Sequence, residues 1–333
     1  MTDETSQRAT PCVLIPVFND WDAVGLLLAA LDTVFTSRRL PVHVLLVDDA
    51  STIPCPAQLG GGPFSFLRKI TVLRVRRNLG HQRAIAIGLT FVYARTQEGP
   101  VIIMDGDGED DPADVPRLLD RYFAEGESRV VFAERLKRSE SLVFRLGYVA
   151  YRWLHRILTG QSVRVGNFSV VPRSLLSALV VVSELWNHYA AAVFRARLPY
   201  STVLTTRAKR LVGKSTMNIP ALVVHGISAM SVYSETIGVR LLAGALALGV
   251  LAACALAVIV SLRVFTDAAL SYWPTAVGVL IVALFNAVML ALVFTFTALL
   301  GRQTLSFIPE RDYEWFIANT VDIYKGADET AQT

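Results

Sequence analysis

Two long runs without a charged residue constrain this chain more than any other feature. Residues 241–262 form a 22-residue uncharged run between Arg240 and Arg263, and residues 268–301 form a 34-residue run between Asp267 and Arg302. A helix needs about 20 apolar residues to cross the hydrocarbon core of a bilayer. Each run suffices, the second starting near Trp273-Pro274. The alternative is a buried hairpin in a soluble core, which runs of this length disfavour. The hydrophobic share of 53% and the mean hydropathy of +0.45 are high for a soluble protein and agree with a membrane component. Two spans put both termini on one side. Arg207, Lys209, Arg210, Lys214 and Arg240 precede the first run, Arg302 and Arg311 follow the second, and the connecting loop has only Arg263. The positive-inside bias then predicts a multi-pass protein of the inner (plasma) membrane with both termini in the cytoplasm.

The first half reads differently. Short apolar runs at 12–17, 43–51, 70–75, 101–105 and 129–133 alternate with helical patterns at 22–36, 80–95 and from the fourth run to about residue 123. Near-continuous apolar strands alternating with helices mean an α/β fold, a mostly parallel sheet covered on both faces. In such sheets ligands bind beyond the carboxyl ends of the strands. Asn19-Asp20, Asp48-Asp49 and Asp105-Asp107 all fall there. Between the halves, residues 141–159 set Arg145, Arg152 and Arg156 on one helical stripe, with Phe144, Leu146, Trp153, Leu154, Ile157 and Leu158 over much of the rest. A basic amphipathic helix with Trp and Tyr suits the lipid headgroup layer; an ordinary core helix is the alternative. Residues 218–237 read as a second surface helix leading into the first span. The chain thus divides into a cytoplasmic domain over 1–216, a juxtamembrane helix over 217–238, two spans over 239–301 and a cytoplasmic tail over 302–333.

The remaining composition narrows the setting. A net charge of +4 is compatible with nucleic acid, an anionic membrane surface or a phosphorylated substrate; two membrane spans argue against nucleic acid. Cys12, Cys55 and Cys254 have no metal-ligand spacing, and their odd number fits a reducing compartment. The opening MTDETSQRATP has no secretory character.

The stretch VIIMDGDGEDDP (101–112) carries the chemistry. An apolar strand is followed by five carboxylates within seven residues: Asp105, Asp107, Glu109, Asp110 and Asp111. Like charges this close need a positive partner. A calcium EF-hand loop would need Gly at its sixth position and Glu at its twelfth; counted from Asp105 those places hold Asp110 and Pro116. A dinucleotide site would need Gly-x-Gly-x-x-Gly after the first strand, where this chain has Pro16-Val17-Phe18-Asn19-Asp20. A solvated acidic turn and a divalent cation carrying a diphosphate remain. Mg²⁺ and Mn²⁺ prefer carboxylate and phosphate oxygens, and Gly106 between Asp105 and Asp107 allows a tight backbone.

Seven segments, in order, carry a resemblance: VLIPVFND (13–20), LLVDDAST (45–52), NLGHQRAIAIGL (78–89), IIMDGDGEDDP (102–112), VVFAERLKR (130–138), GNFSVVPRS (166–174) and RAKRLVGKST (207–216). With the two trailing spans they resemble family 2 glycosyltransferases of the GT-A fold, and within them the polyprenyl-phosphate glycosyltransferases. That group includes dolichyl-phosphate-mannose synthase and bacterial undecaprenyl-phosphate sugar transferases. The resemblance covers almost the whole chain. It implies an inverting, metal-dependent enzyme that moves a sugar from a nucleotide-diphosphate sugar to polyprenyl phosphate. Pro16, Phe18, Asp20, Asp48, Asp49 and Gly80 are expected at the nucleotide, with Asp105 beside the donor ribose or diphosphate. Asp105, Asp107 and Glu109 are expected to hold Mg²⁺ or Mn²⁺. Arg135 and Arg145 are candidates for the acceptor phosphate; Arg210, Lys214 and Ser215 in R-x-x-G-K-S are candidates for donor or acceptor phosphate, on a loop that closes over the site. Arginine suits phosphate through its planar fork of donors. The resemblance also implies a homo-oligomer, a tetramer. Asp105, Asp107 and Asn167 form the expected catalytic set, and Asn167 departs from the pattern because many relatives have Asp there. Asn takes no proton at neutral pH, but a phosphate monoester with a second pKa near 6 is already largely anionic. Rival readings are a transferase acting on another lipid or glycan and a catalytically silent sugar-nucleotide scaffold. The Gln-x-x-Arg-Trp motif usual in processive synthases is absent from the chain.

Overall fold

In the computed structural model, residues 9–95, 99–135, 142–161, 165–212, 219–265, 273–301 and 307–326 are described. They fall into two compact units: residues 1–139, 163–232 and 307–333 in one, residues 140–162 and 233–306 in the other. The first unit runs β1 (Cys12–Val17), α1 (Trp21–Arg38), β2 (Val42–Asp48), β3 (Leu67–Val75), α2 (His81–Arg95), β4 (Val101–Ile103), α3 (Val115–Ala124) and β5 (Val130–Arg135). The chain then passes through α4 (Leu142–Thr159) of the second unit and returns as β6 (Val165–Val171), α5 (Arg173–Leu179), α6 (Tyr189–Arg195), β7 (Tyr200–Thr205) and α7 (Ile219–Ser231). After α8 (Ser234–Phe265) and α9 (Trp273–Leu300) of the second unit, α10 (Pro309–Asp312) and β8 (Ile317–Lys325) complete the first.

The eight strands form one sheet in the order β7-β5-β6-β4-β1-β2-β3-β8. The central neighbours β4, β1, β2 and β3 pair in parallel. β6 runs antiparallel to both β4 and β5, and β8 runs antiparallel to β3. The two-residue alternation of a strand explains the layers. Val13, Ile15 and Val17 of β1 pack with α1 and α3 on one face. Cys12 and Leu14 pack with α2 and α6 on the other. Every residue of β1 is therefore buried, which is why the run is continuously apolar rather than alternating. At Gly88 a Cβ would stand 2.6 Å from Leu14 Cδ1 and 2.8 Å from Val47 Cγ2, so the missing side chain sets how closely α2 lies on β1 and β2.

The connection from β1 goes to β2 on one side, and β4 returns to the opposite side of β1. This reversal leaves a crevice beyond the carboxyl ends of β1 and β4, the place where such sheets bind ligands. The segments after β1, β2 and β4 carry the acids singled out above.

The second unit is helical. α8 and α9 pack on one another, and a Cβ on Gly238 would come within 2.8 Å of Thr295 Oγ1. The spans Ser234–Ser261 and Val277–Leu300 are long and apolar enough to cross a membrane, with mean hydropathies of 2.6 and 2.8. Arg240 caps the carboxyl end of α4 by donating from Nη1 to Ile157 O at 2.6 Å, a favourable place for a cation. Where one surface helix was expected to run into the first apolar run, α7 ends at Ser231, and α8 starts at Ser234. Ser231 Oγ bonds back to Ser228 O at 2.8 Å, the side-chain competition with helical hydrogen bonding that serines offer.

β8 lies in the segment read as a tail. Its Asp322 accepts from Thr71 Oγ1 of β3 at 2.8 Å and stands 3.3 Å from both Lys69 Nζ and Lys325 Nζ. Burial opposes its ionisation, but the Thr71 hydroxyl and the two ammonium groups outweigh that and hold it below its ordinary value. A depressed carboxylate stabilises the fold above the unfolded pKa near 3.9 and loses that contribution as pH falls through the folded value. Asp322→Asn should therefore cost about 1 kcal/mol at pH 7 and progressively less below about pH 4. Thermal unfolding of the full chain in detergent at several pH values measures this; a pH-independent difference would contradict it.

Candidate active site

The loop after β1 is held to the loop after β2. Asn19 sits at φ 61°, a conformation Asn tolerates better than most residues. Its side-chain oxygen accepts from Thr52 N at 2.9 Å and Ile53 N at 3.0 Å, and its own N–H donates to Ser51 Oγ at 2.9 Å. Trp21 Nε1 adds a bond to Ile53 O at 2.9 Å. Phe18, next to Asn19 in the chain, is 44% exposed, and Pro16 lies in β1.

Asp48 and Asp49 are both buried, with 3% exposure. Asp48 accepts from Ser51 N at 2.8 Å and lies 3.5 Å from Arg74 Nε. Asp49 spans the turn before α2: one oxygen accepts from Leu79 N at 2.7 Å and the other from Gly80 N at 2.8 Å. Burial pushes its pKa up, and these two amides pull in the opposite direction without cancelling the rise. Gly80 has φ 93°, so glycine serves the backbone there.

The acidic segment after β4 turns back on itself. Asp110 Oδ2 accepts from Asp105 N at 3.0 Å, Asp107 Oδ1 accepts from Glu109 N at 2.9 Å, and Asp111 Oδ1 caps Ala113 N at 2.9 Å. Gly106 passes so close to β1 that a Cβ would stand 3.2 Å from Pro16 O. The positive partners are arginines of the 206–212 segment that follows β7. Arg207 pairs with Glu109. Arg210 donates from Nη2 to Asp20 Oδ2 at 3.0 Å and from Nη1 to Asp107 Oδ2 at 3.3 Å. Among the described residues no three carboxylate, imidazole or thiolate groups converge as a metal centre would require. The carboxylate oxygens of Asp107 and Glu109 nonetheless have the donor chemistry that Mg²⁺ or Mn²⁺ takes, and each already balances a cation.

A second chain of contacts reaches Asp105 from α6. Tyr189 N donates to Gln82 Oε1 at 2.8 Å. A backbone N–H can only donate, so the Gln82 amide is oriented, and its Nε2 donates to Asn167 Oδ1 at 3.0 Å. Asn167 Nδ2 then faces His81 Nε2 at 2.8 Å, and the same nitrogen lies 3.1 Å from Asp105 Oδ1. Burial lowers the His81 pKa, but Asp105, then Asp110 and Asp107, outweigh it and leave the pKa raised. The carboxylates favour a proton on Nε2, whereas the oriented Asn167 amide favours its lone pair.

The crevice thus gathers Phe18, Asp20, Asp105, Asp107, Glu109, Asn167 and Arg210 of the expected set. Asp48 and Asp49 hold the turns after β2 and before α2, the latter at Gly80. Arg135 ends β5 and Arg145 lies in α4, with their side chains outside the described part of the structure; Lys214 and Ser215 lie outside the described residues. His81, Gln82, Asn19 and Arg207 were not on the expected list. The first two stand inside the NLGHQ segment, where a polar pair opening a helix beside an acidic strand end was the available signal.

Residues 12–174 match the model of Glycosyl transferase family 2, and the chain carries a domain of that family. The undecaprenyl-phosphate 4-deoxy-4-formamido-L-arabinose transferase of Pectobacterium carotovorum subsp. carotovorum (strain PC1) is 29% identical over 152 residues, 45% of this chain and 44% of that one. The dodecaprenyl-phosphate galacturonate synthase of Rhizobium johnstonii (strain DSM 114642 / LMG 32736 / 3841) is 28% identical over 121 residues, 35% of this chain and 34% of that one. The chain thus spans less than half the length of these two curated relatives. Glucosyl-3-phosphoglycerate synthase from Mycobacterium tuberculosis, crystallised with Mn²⁺, UDP-glucose and phosphoglyceric acid, superposes with a TM-score of 0.50 at 15% identity, over 69% of this chain and 80% of that one. That likeness concerns the fold, which is of the GT-A type.

Asn167→Asp would replace the donor facing His81 with an acceptor and add a negative charge. A carboxylate at that distance favours the imidazolium, so the His81 pKa should rise further. With only five histidines in the chain, an NMR titration of histidine ring signals, assigned through His81→Gln, measures it. A fall would contradict the placement of residue 167 against His81.

Proposed function

We propose that the protein is an inverting glycosyltransferase that moves a sugar from a UDP- or GDP-sugar to a polyprenyl phosphate at the cytoplasmic leaflet. The observation that carries this reading is the crevice between β1 and β4, where Asp20, Asp107 and Glu109 face the arginines of the 206–212 segment. Paired carboxylates and removable guanidinium groups are what a cation-bearing diphosphate requires. The family 2 domain and the lipid-phosphate substrates named for the two relatives support the same reading.

On this reading residues 1–216, joined by β8 from the 302–333 segment, form the catalytic domain. Residues 217–238 lead into the membrane, 239–301 cross it twice, and α4 lies in the headgroup layer. The chain leaves the catalytic unit before α8 and re-enters it after α9, which supports an even number of crossings and termini on one side. Trp153, Leu154 and Ile157 of α4 are exposed, as an interfacial helix requires. The assembly is a homo-oligomer.

Phe18, with Pro16, receives the nucleotide base, and Asp48 and Asp49 hold the backbone around it. Asp107 and Glu109, with Asp105, would hold Mg²⁺ or Mn²⁺ together with the diphosphate oxygens, and the metal would supply Lewis-acid stabilisation of the departing diphosphate. An oxygen of the acceptor phosphate forms the new bond to the anomeric carbon as the bond to the diphosphate breaks, giving inversion. Arg210, with Lys214 and Ser215, binds phosphate of the donor or acceptor; Arg135 and Arg145 bind that of the lipid. Asn167 positions the acceptor, which needs no base because the phosphate is already ionised at pH 7.

The test is transfer by membranes or purified full-length protein from a panel of UDP- and GDP-sugars, with and without polyprenyl phosphate. A lipid-linked product should form only with polyprenyl phosphate, vanish in EDTA and return with Mg²⁺ or Mn²⁺. Asp107→Asn should reduce it by roughly a hundredfold or more. Full transfer in chelator would remove the metal from this account. Losing a charge-assisted hydrogen bond costs roughly 1.5–3 kcal/mol, so Arg135→Ala and Arg145→Ala should raise the KM for polyprenyl phosphate about ten- to a hundredfold. Equal effects on the donor KM would place these arginines elsewhere.

A further inference from the structure

We infer that the 206–212 segment is a strap that blocks the cation site with its own arginines until a diphosphate draws them off. The inference rests on the proposed reading of Asp107 and Glu109 as cation-holding groups. Five polar contacts fix the strap. Arg207 pairs with Glu109, and Arg210 bridges Asp20 and Asp107 at 3.0 and 3.3 Å. Ala208 N donates to Glu109 O at 3.1 Å and Leu211 N to Asp107 O at 3.0 Å. Leu211 lies over Gly108, where a Cβ would come within 2.4 Å of Leu211 Cγ. Gly108 has φ 80°, so its backbone and its missing side chain both suit this seat.

The Arg210 side chain is only 15% exposed, and the Asp107 side chain 19%, so the pair is sheltered from screening by water and salt. A divalent cation cannot share the Asp107 carboxylate with this guanidinium without close like-charge repulsion. A cation arriving alone must therefore expel Arg210 into solvent. A diphosphate changes that balance, because its oxygens accept the fork of donors that Arg210 presents. Departure from Asp107 and capture by the diphosphate are then one exchange of partners. Cation and diphosphate favour each other's binding through Arg210, in addition to any direct bond between them, and the coupling is reciprocal.

The deciding measurement is binding of Mn²⁺ alone, followed by EPR of free Mn²⁺ with the full chain in detergent. Arg210→Gln removes the guanidinium while leaving Asp107 in place. It should bind Mn²⁺ without nucleotide at least about fivefold more tightly than the unaltered protein, the lower end of ordinary coupling between sites. Adding Asp107→Asn should abolish the gain. Leu211→Ser, which loosens the strap without altering its charges, should shift Mn²⁺ binding in the same direction and serves where Arg210→Gln does not fold. If both the unaltered protein and Arg210→Gln bind Mn²⁺ with UDP or GDP, but neither substitution tightens Mn²⁺ alone, the strap is overturned and the metal reading stands. If no form binds Mn²⁺ even with UDP or GDP, the metal reading itself fails and the strap with it.

Discussion

The balance between the carboxylates beyond β1 and β4 and the arginines after β7 is the interaction on which the site depends. The fold concentrates negative charge there for a topological reason. Where the strand order reverses, neighbouring loops diverge and leave a crevice, and the acids line it. Asp20, Asp107 and Glu109 would repel one another if left alone. Arg210 reaches two of them and Arg207 the third. The glycines make this approach possible: Gly106 lets the acidic turn lie against β1, and Gly108 admits Leu211. The arrangement is built from contacts that another cation and anion can replace.

Much of this was legible because burial on both faces writes itself into a strand. The runs at β1 and β4 are continuously apolar and that at β2 nearly so, and acids follow all three. β8 was not legible for the opposite reason. IANTVDIYK lies at the edge of the sheet and is half exposed along its length; its place comes from pairing with β3, far away in the chain. β6 and β7 were missed similarly, β6 because its antiparallel partners β4 and β5 precede it by separate connections. The first uncharged run falls within α8 and the second contains α9, but the break between α7 and α8 left no interruption in the apolar pattern to read.

Within the site, sequence reading located the acids better than their partners. The charge after β4 demanded a positive neighbour, for which a metal with diphosphate was expected; Arg207 and Arg210 also pair with these acids. Arg210 stands 103 residues from Asp107 and 190 from Asp20, and only the fold brings them together. Asp49 illustrates the converse. Its position beyond β2 suggested ligand contact, but both oxygens are used by Leu79 N and Gly80 N. A carboxylate satisfied by two buried amides shapes the turn into α2, and thereby the position of His81.

His81 connects the two halves of the argument. The first amide of α6 orients Gln82, Gln82 orients Asn167, and Asn167 confronts the nitrogen that also faces Asp105. An Asp at 167 would accept a hydrogen bond from a protonated His81 Nε2 as Asp105 can, and would add another negative charge to a crevice already rich in them. On the proposed reading that crevice must admit a diphosphate and a lipid phosphate together, and each added carboxylate opposes both. Asn keeps the hydrogen-bonding shape and omits the charge. The departure from the family's usual residue is then consistent with a site whose acceptor arrives ionised, where a positioning amide serves better than a base.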